Sequence, residues 1–259
     1  MIEIESDLLM GKKALVVGIA NQHSIAWGVA RSLRRLGAEI AVTYLNDKAR
    51  AYVEPLAEEL EAQVLLPLDV QQPGQMESVF EALDQRWGRL DIGVHSIAFA
   101  PMDDLHGRLT DSSADGFKLA MDVSCHSFIR MARLAEPLMR DGGTLLAMSY
   151  LGATKVVPNY QLMGPVKAAL ESAARYLAYE LGPAGVRVHA LSPGPMRTRA
   201  AGGLKEFDEL LYDAVQRSPE QDLADIDDVG AAAAYLCTDY ARRMTGSVFF
   251  VDAGYNIMA

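Results

Sequence analysis

Cysteine is scarce in this chain. Of 259 residues only Cys125 and Cys237 carry thiols. Two cysteines so far apart do not make a disulfide framework, and both stand in apolar helical surroundings, as core thiols of a reducing compartment do. Long hydrophobic runs are lacking too, so no segment reads as a membrane span. Positive charge is short: 24 Lys and Arg face 34 Asp and Glu, a net charge of -10. That argues against nucleic acid or an anionic membrane as a partner. The opening Met1-Ile-Glu-Ile-Glu-Ser-Asp7 is acidic where a signal peptide would be basic. The expectation is a cytoplasmic protein. There is no internal repeat, low-complexity tract or inter-domain linker, and no G-x-G-x-x-G.

Half the residues are hydrophobic and 22% are charged, the balance of a globular chain long enough for one large core. Short apolar runs lie at Ala14–Val17, Glu39–Tyr44, Gln63–Leu68, Leu90–Ser96, Gly143–Ser149, Val186–Leu191 and Ser247–Val251. Several are rich in Val, Ile and Leu without alternation, as strands covered on both faces are. Amphipathic stretches such as Ala26–Leu36, Ala49–Leu60, Met76–Trp87 and Phe128–Met139 separate them. This alternation predicts one α/β domain over residues 1–259, a parallel sheet with right-handed crossovers.

The first predicted strand ends at Gly18 and runs through Ile19-Ala-Asn-Gln-His-Ser24-Ile25-Ala-Trp-Gly28 into a helix. A glycine there allows a tight turn, and the following helix N-terminus offers free N–H groups to a pyrophosphate. Ser24 adds a hydroxyl. Asp69 follows the third strand and His95-Ser-Ile97-Ala98 ends the fourth, beside the expected reversal of strand order where ligands bind. Singly, Asp69 reads as a helix cap and Ser96 as a satisfied core hydroxyl. Together they line one edge of the sheet. After the second strand, Tyr44-Leu-Asn-Asp47-Lys48-Ala-Arg50 places Asp47 in the range of an acidic partner for a free ribose, which favours NADH over NADPH.

Tyr160 and Lys167 stand seven positions apart after the fifth strand. On one helix they would share a face roughly 10 Å apart. The lysine could then hold a cofactor while the tyrosine faces the reacting group, its phenolate favoured by the ammonium. Beyond Pro193-Gly-Pro195 an apolar stripe of Leu204, Phe207, Leu210, Leu211 and Val215 reads either as a substrate lid over residues 196–218 or as a docked surface helix.

Gly18-Ile-Ala-Asn-x-x-Ser24-Ile-Ala-x-Gly28, Tyr150, the Tyr160-x6-Lys167 pair and Pro195-Met-Arg-Thr198 occur in that order. The set resembles the enoyl-[acyl-carrier-protein] reductases of bacterial fatty acid synthesis, a divergent branch of the short-chain dehydrogenase/reductases. The likeness runs from about Leu9 to Ile257. It implies a Rossmann-like fold with a seven-stranded parallel sheet and helices on both faces, a homotetramer, NADH as cofactor and an acyl carrier protein bearing an enoyl thioester as partner. It implies that Gly18, Ser24 and Ile25 meet the pyrophosphate, Asp69 and Val70 border the adenine, and Ile97 lies on the nicotinamide side. Lys167 would hold the nicotinamide ribose. Met196, Arg197, Thr198, Arg199 and Ala200 would close over the cofactor. Tyr160 would hydrogen-bond the thioester oxygen, with Tyr150 the second active-site tyrosine. Ala100 matches a substrate-contacting position, and Leu204 and Phe207 would wall the acyl chain. No metal is implied.

Three departures from the family pattern stand out. Leu45, at the adenosine position, replaces a glutamine; Ala98 replaces a glycine; and Pro219-Glu-Gln-Asp222 replaces a more basic stretch. Pro165 falls between Tyr160 and Lys167, where a helix interior would be kinked, so the helix is expected to begin late enough to tolerate it. Two other functions remain open at this level: a carbonyl reductase or alcohol dehydrogenase of the same superfamily, and a non-catalytic dinucleotide-binding protein.

Overall fold

The computed structural model describes residues 7–198 and 207–258. Seven strands form one parallel sheet: β1 Lys13–Val17, β2 Glu39–Tyr44, β3 Val64–Pro67, β4 Ile92–His95, β5 Gly143–Met148, β6 Val186–Pro193 and β7 Val248–Val251. Their order is β3-β2-β1-β4-β5-β6-β7, with every pair parallel. The order reverses between β1 and β4, which opens a crevice at their carboxyl ends. The nine helices of the described residues are α1 Ile25–Arg35, α2 Asp47–Glu59, α3 Gln75–Trp87, α4 Met102–His106, α5 Ala114–Met121, α6 Ser127–Ala135, α7 Met163–Leu181, α8 Phe207–Arg217 and α9 Ile226–Cys237. All seven predicted strands are present, most shifted by one or two residues at an end. Among the described residues no helix is long and apolar enough to cross a membrane.

The central strands are largely apolar without alternation because both faces are covered. On β1, Ala14 and Val16 join a core with Val29 and Leu33 of α1, Val53 of α2 and Val229 and Ala233 of α9. Leu15 and Val17 point the other way, into a core with Phe80 of α3, Phe128 of α6 and Leu170 of α7. Period-two alternation thus feeds two separate cores rather than one core and solvent.

Gly28 serves helix packing. A Cβ there would lie 2.1 Å from the Ile226 carbonyl oxygen, and one at Gly230 would lie 2.5 Å from the Gly28 oxygen. Glycine at both positions lets α1 and α9 cross backbone to backbone. Between α5 and α6 a π-helical turn, Asp122–His126, keeps Ser124 buried. Ser124 Oγ accepts from Phe99 N at 2.9 Å and donates to Phe99 O at 3.0 Å, pinning the segment that leaves β4.

Candidate active site

Gly18 ends β1 at φ +108°, and a Cβ on it would lie 2.1 Å from the Ser96 carbonyl oxygen. Only glycine lets the turn pass this close to the end of β4. Ser24 caps α1 in extended conformation, but its hydroxyl faces the preceding loop: Oγ accepts from Ala20 N at 3.0 Å and Asn21 N at 3.1 Å. With its lone pairs occupied, the hydroxyl keeps its hydrogen to donate. The loop ties up most of its own N–H groups, so the Ser24 hydroxyl and the start of α1 are what offer donors at the switch point, the chemistry a pyrophosphate needs. The residues present therefore fit a dinucleotide.

Asp69 lies just past β3. Its carboxylate accepts from Gln71 N at 2.9 Å, so it ties its own turn rather than capping α3, which begins after Gly74. Val70 is buried, and Arg130 of α6 donates to its carbonyl at 2.5 Å. Leu45 is exposed at the end of β2. Asn46 caps α2, accepting from Ala49 N at 3.0 Å, and Asp47 is the first residue of that helix. Arg50 is turned to Glu54 at 2.8 Å and lies over the Tyr44 ring.

Tyr160 is not on the helix that carries Lys167. The chain between β5 and α7 turns through positive φ at Asn159 and Gln161, and α7 begins only at Met163. Pro165 therefore sits in the first turn, where no helical N–H bond is lost. Turn geometry, not helical periodicity, places the tyrosine. Its ring packs against that of Tyr150, with centroids 4.7 Å apart, and against Gly152, where a Cβ would come within 2.4 Å of Tyr160 Cδ1. Ala100 is buried with Leu162, Met163 and Val166, and Tyr160 packs on that cluster.

Lys167 is only 4% exposed, and its Nζ donates to the Met148 carbonyl at 2.6 Å. Burial lowers its pKa to about 8, opposed by Cys125 and Glu171. Burial, then Tyr150, pushes the Tyr160 phenol well above its ordinary value. Burial, then Tyr255, does the same for Tyr150. The phenolate expectation is thus reversed: without ligand, Tyr160 is a neutral hydrogen-bond donor. His95, buried at the end of β4 with Nε2 2.7 Å from Ser127 Oγ, is lowered to about 3 by burial and then by Lys167, and stays neutral.

Met196 is buried against the α1 side of the sheet. Arg197 pairs with Asp208 at 2.7 Å across an exposed surface. Thr198 ends that described segment, while Arg199, Ala200 and Leu204 lie outside the described residues, as does the Phe207 side chain. On α8, Leu210 and the buried Leu211 and Ala214 face inward. Ala214 forms a cluster with Leu151, Val157 and Tyr255, on which Leu210, Tyr150 and Tyr160 pack. Beside this cluster lies a cavity of about 380 Å³ lined by Leu151, Val157, Leu210, Asp213, Arg217 and Tyr255. Among the described residues no His, Cys, Asp or Glu cluster could hold a metal.

The family model for enoyl-(acyl carrier protein) reductases matches residues 18–256. The chain belongs to that family. An enoyl-[acyl-carrier-protein] reductase [NADH] of Rhizobium meliloti is 44% identical over 96% of this chain and 93% of its own length. A solved enoyl-acyl-carrier-protein reductase of Anaplasma phagocytophilum, in complex with NAD, superposes with a TM-score of 0.94 at 43% identity, covering 98% of this chain and 97% of that one. The Bacillus cereus enoyl-acyl carrier protein reductase, solved with NADP+ and an indole naphthyridinone, gives 0.95 at 42% identity, covering 98% and 99%.

Sequence reasoning missed several residues around the reductase site. Gly152, Ser149 and Glu171 all touch the tyrosines or the strand end that leads to them. Glu171 alone had a legible signal: it stands one helical turn beyond Lys167, on the same face.

Proposed function

We propose that this chain reduces the trans-2 double bond of enoyl-[acyl-carrier-protein] thioesters with NADH, in fatty acid biosynthesis. The observation that carries the reading is a neutral Tyr160, tilted against Tyr150, on the chain between β5 and α7, together with a buried Lys167 on α7 whose Nζ donates to the Met148 carbonyl at the end of β5. Family membership and the NADH named for the Rhizobium meliloti relative support it.

Gly18, Ser24 and Ile25 would hold the pyrophosphate, Asp69 and Val70 the adenine end with Leu45 beside it, and Ile97 the nicotinamide side. Lys167 would turn from the Met148 carbonyl to the ribose hydroxyls. Met196, Arg197, Thr198, Arg199 and Ala200 would cover the cofactor. When bound, NADH supplies the hydride for the β-carbon of the substrate. Negative charge then develops on the thioester oxygen, Tyr160 donates a hydrogen bond to it, and a proton added afterwards at the α-carbon completes the reduction. The hydrogen bond strengthens as the charge forms, so it lowers the barrier rather than merely tightening binding. A neutral phenol suits this role, since a phenolate would repel the oxygen. Tyr150 holds the Tyr160 ring in place.

Ala100, Leu204 and Phe207 would line the acyl path, with residues 196–218 as lid. Leu210 and Ala214 on the cluster beneath the tyrosines support a lid that closes on the site. The carrier would be an acyl carrier protein, and the assembly a homotetramer in the cytoplasm. Exposed Tyr176 and Tyr179 on α7, and the place of β7 at the end of the strand order, support association between copies. The deciding assay follows NADH oxidation on enoyl thioesters of graded length beside simple ketones. Turnover on ketones alone would indicate a carbonyl reductase, and NADH binding with no turnover a non-catalytic protein.

A further inference from the structure

Two side chains one turn apart on α7 grip successive residues at the end of β5. Lys167 Nζ donates to Met148 O at 2.6 Å, and Glu171 Oε1 accepts from Ser149 Oγ at 2.6 Å. Ser149 N is also tied to Leu191 O of β6 at 2.6 Å. The next residue is Tyr150. Glu171 is 5% exposed and Ser149 is 6% exposed, so this carboxyl is buried where apolar residues would ordinarily pack. A buried carboxyl is costly unless something nearby uses its charge.

We propose that Glu171 is a positioning residue of the reaction: it anchors the strand end that carries Tyr150 and supplies the buried counter-charge for the Lys167 ammonium. The inference rests on the reading of Lys167 as the ribose anchor. The charged and titratable groups around the pair are few. Arg175 stands one turn further along α7. Cys125 approaches Lys167 from the π-helical turn, and His95 approaches it from β4. His95 is neutral, and burial raises the Cys125 thiol, so neither supplies a full negative charge near neutral pH. Glu171 is the remaining carboxyl beside Lys167. Burial raises its own pKa, while the Ser149 hydroxyl, Arg175 and Lys167 oppose that rise. Ser149 thus helps keep Glu171 ionised, and Glu171 helps keep Lys167 protonated. Tyr160 meets the substrate, whereas Glu171 acts only through Lys167 and Ser149.

NADH binding should weaken as pH rises through about 8, where Lys167 loses its proton. Without the Glu171 charge that midpoint should fall by about one pH unit, the low end for an opposite charge close by. The test is NADH affinity by fluorescence from pH 6 to 9.5, with no substrate present, on the full-length protein and on Glu171→Gln, Glu171→Asp and Ser149→Ala. Glu171→Gln keeps an acceptor for Ser149 and removes the charge. Its midpoint should drop, and affinity at pH 8 should fall several-fold while affinity at pH 6 stays near that of the parent. Glu171→Asp should restore most of the parent midpoint, and Ser149→Ala should shift it part of the way down. A midpoint unmoved in Glu171→Gln, or an affinity loss equal at every pH, would overturn the proposal and leave Glu171 a packing residue. If Glu171→Gln does not fold, an unmoved midpoint in Ser149→Ala overturns it equally. If the parent protein binds no NADH at any pH, the reading of the cofactor site fails instead, and the two failures stay distinct.

Discussion

Gly152→Ala isolates the position of the Tyr160 ring from its chemistry. Gly152 lies in the 3-10 turn Leu151–Ala153 and does not have positive φ, so its backbone accepts alanine. The new Cβ would stand 2.4 Å from Tyr160 Cδ1 and 2.7 Å from Cε1, where ordinary contact begins at 3.4 Å. The ring must retreat by about 1 Å, a misplacement that can cost on the order of 10²-fold in rate when the moved group orients the reacting atoms. Overpacking of this kind costs about 1–3 kcal/mol of stability, a fall in Tm of several degrees for a domain this size. Lys167 is untouched, so NADH affinity should hold. The assay is kcat on crotonyl thioester by NADH oxidation, with Tm and NADH affinity measured alongside. The expected pattern is a collapse of kcat with cofactor binding intact. A kcat within about twofold of the parent, with only Tm lowered, would refute the placement of Tyr160 at the reacting oxygen.

Tyr160→Phe should lower kcat by about 10²–10³-fold at every acyl length, the loss typical of one oxyanion donor; a loss confined to long chains would assign the ring to the chain wall. With Arg50 engaged by Glu54 and over Tyr44, kcat/KM should favour NADH over NADPH, and a clear preference for NADPH would show that Lys48 or Arg50 reaches the 2′-phosphate. If α8 is part of a lid, its amides should exchange freely without ligand and gain protection with cofactor and substrate analogue bound. Phe207→Ala should then hurt long chains most, whereas a fall in Tm with unchanged chain-length preference would make α8 a docked element. Gly28→Ala should cost stability, because its Cβ meets the Ile226 carbonyl oxygen at 2.1 Å; weakened NADH binding at unchanged Tm would instead return Gly28 to the ligand.

Local patterning determined the elements of this protein. Strands such as β2 and β5 read as largely apolar runs without alternation because both faces of a parallel sheet are covered, and that property is written in adjacent residues. Gly18 and Ser24 were legible for a similar reason: a turn and a helix start need particular residue types at short spacing. What the spacing could not decide was which backbone the pattern rides on. Tyr160 and Lys167 fit one helix by period, yet left-handed turns at Asn159 and Gln161 hold the tyrosine off it. Gly28 looked like part of the nucleotide loop, but its need for no side chain comes from α9, nearly two hundred residues away. The protonation states were beyond reach for the same physical reason. Charge on Lys167 and the phenols depends on water excluded by elements far apart in the chain, and on a carboxyl whose partner Ser149 is 22 residues away along it. Only packing brings those groups into one dry space.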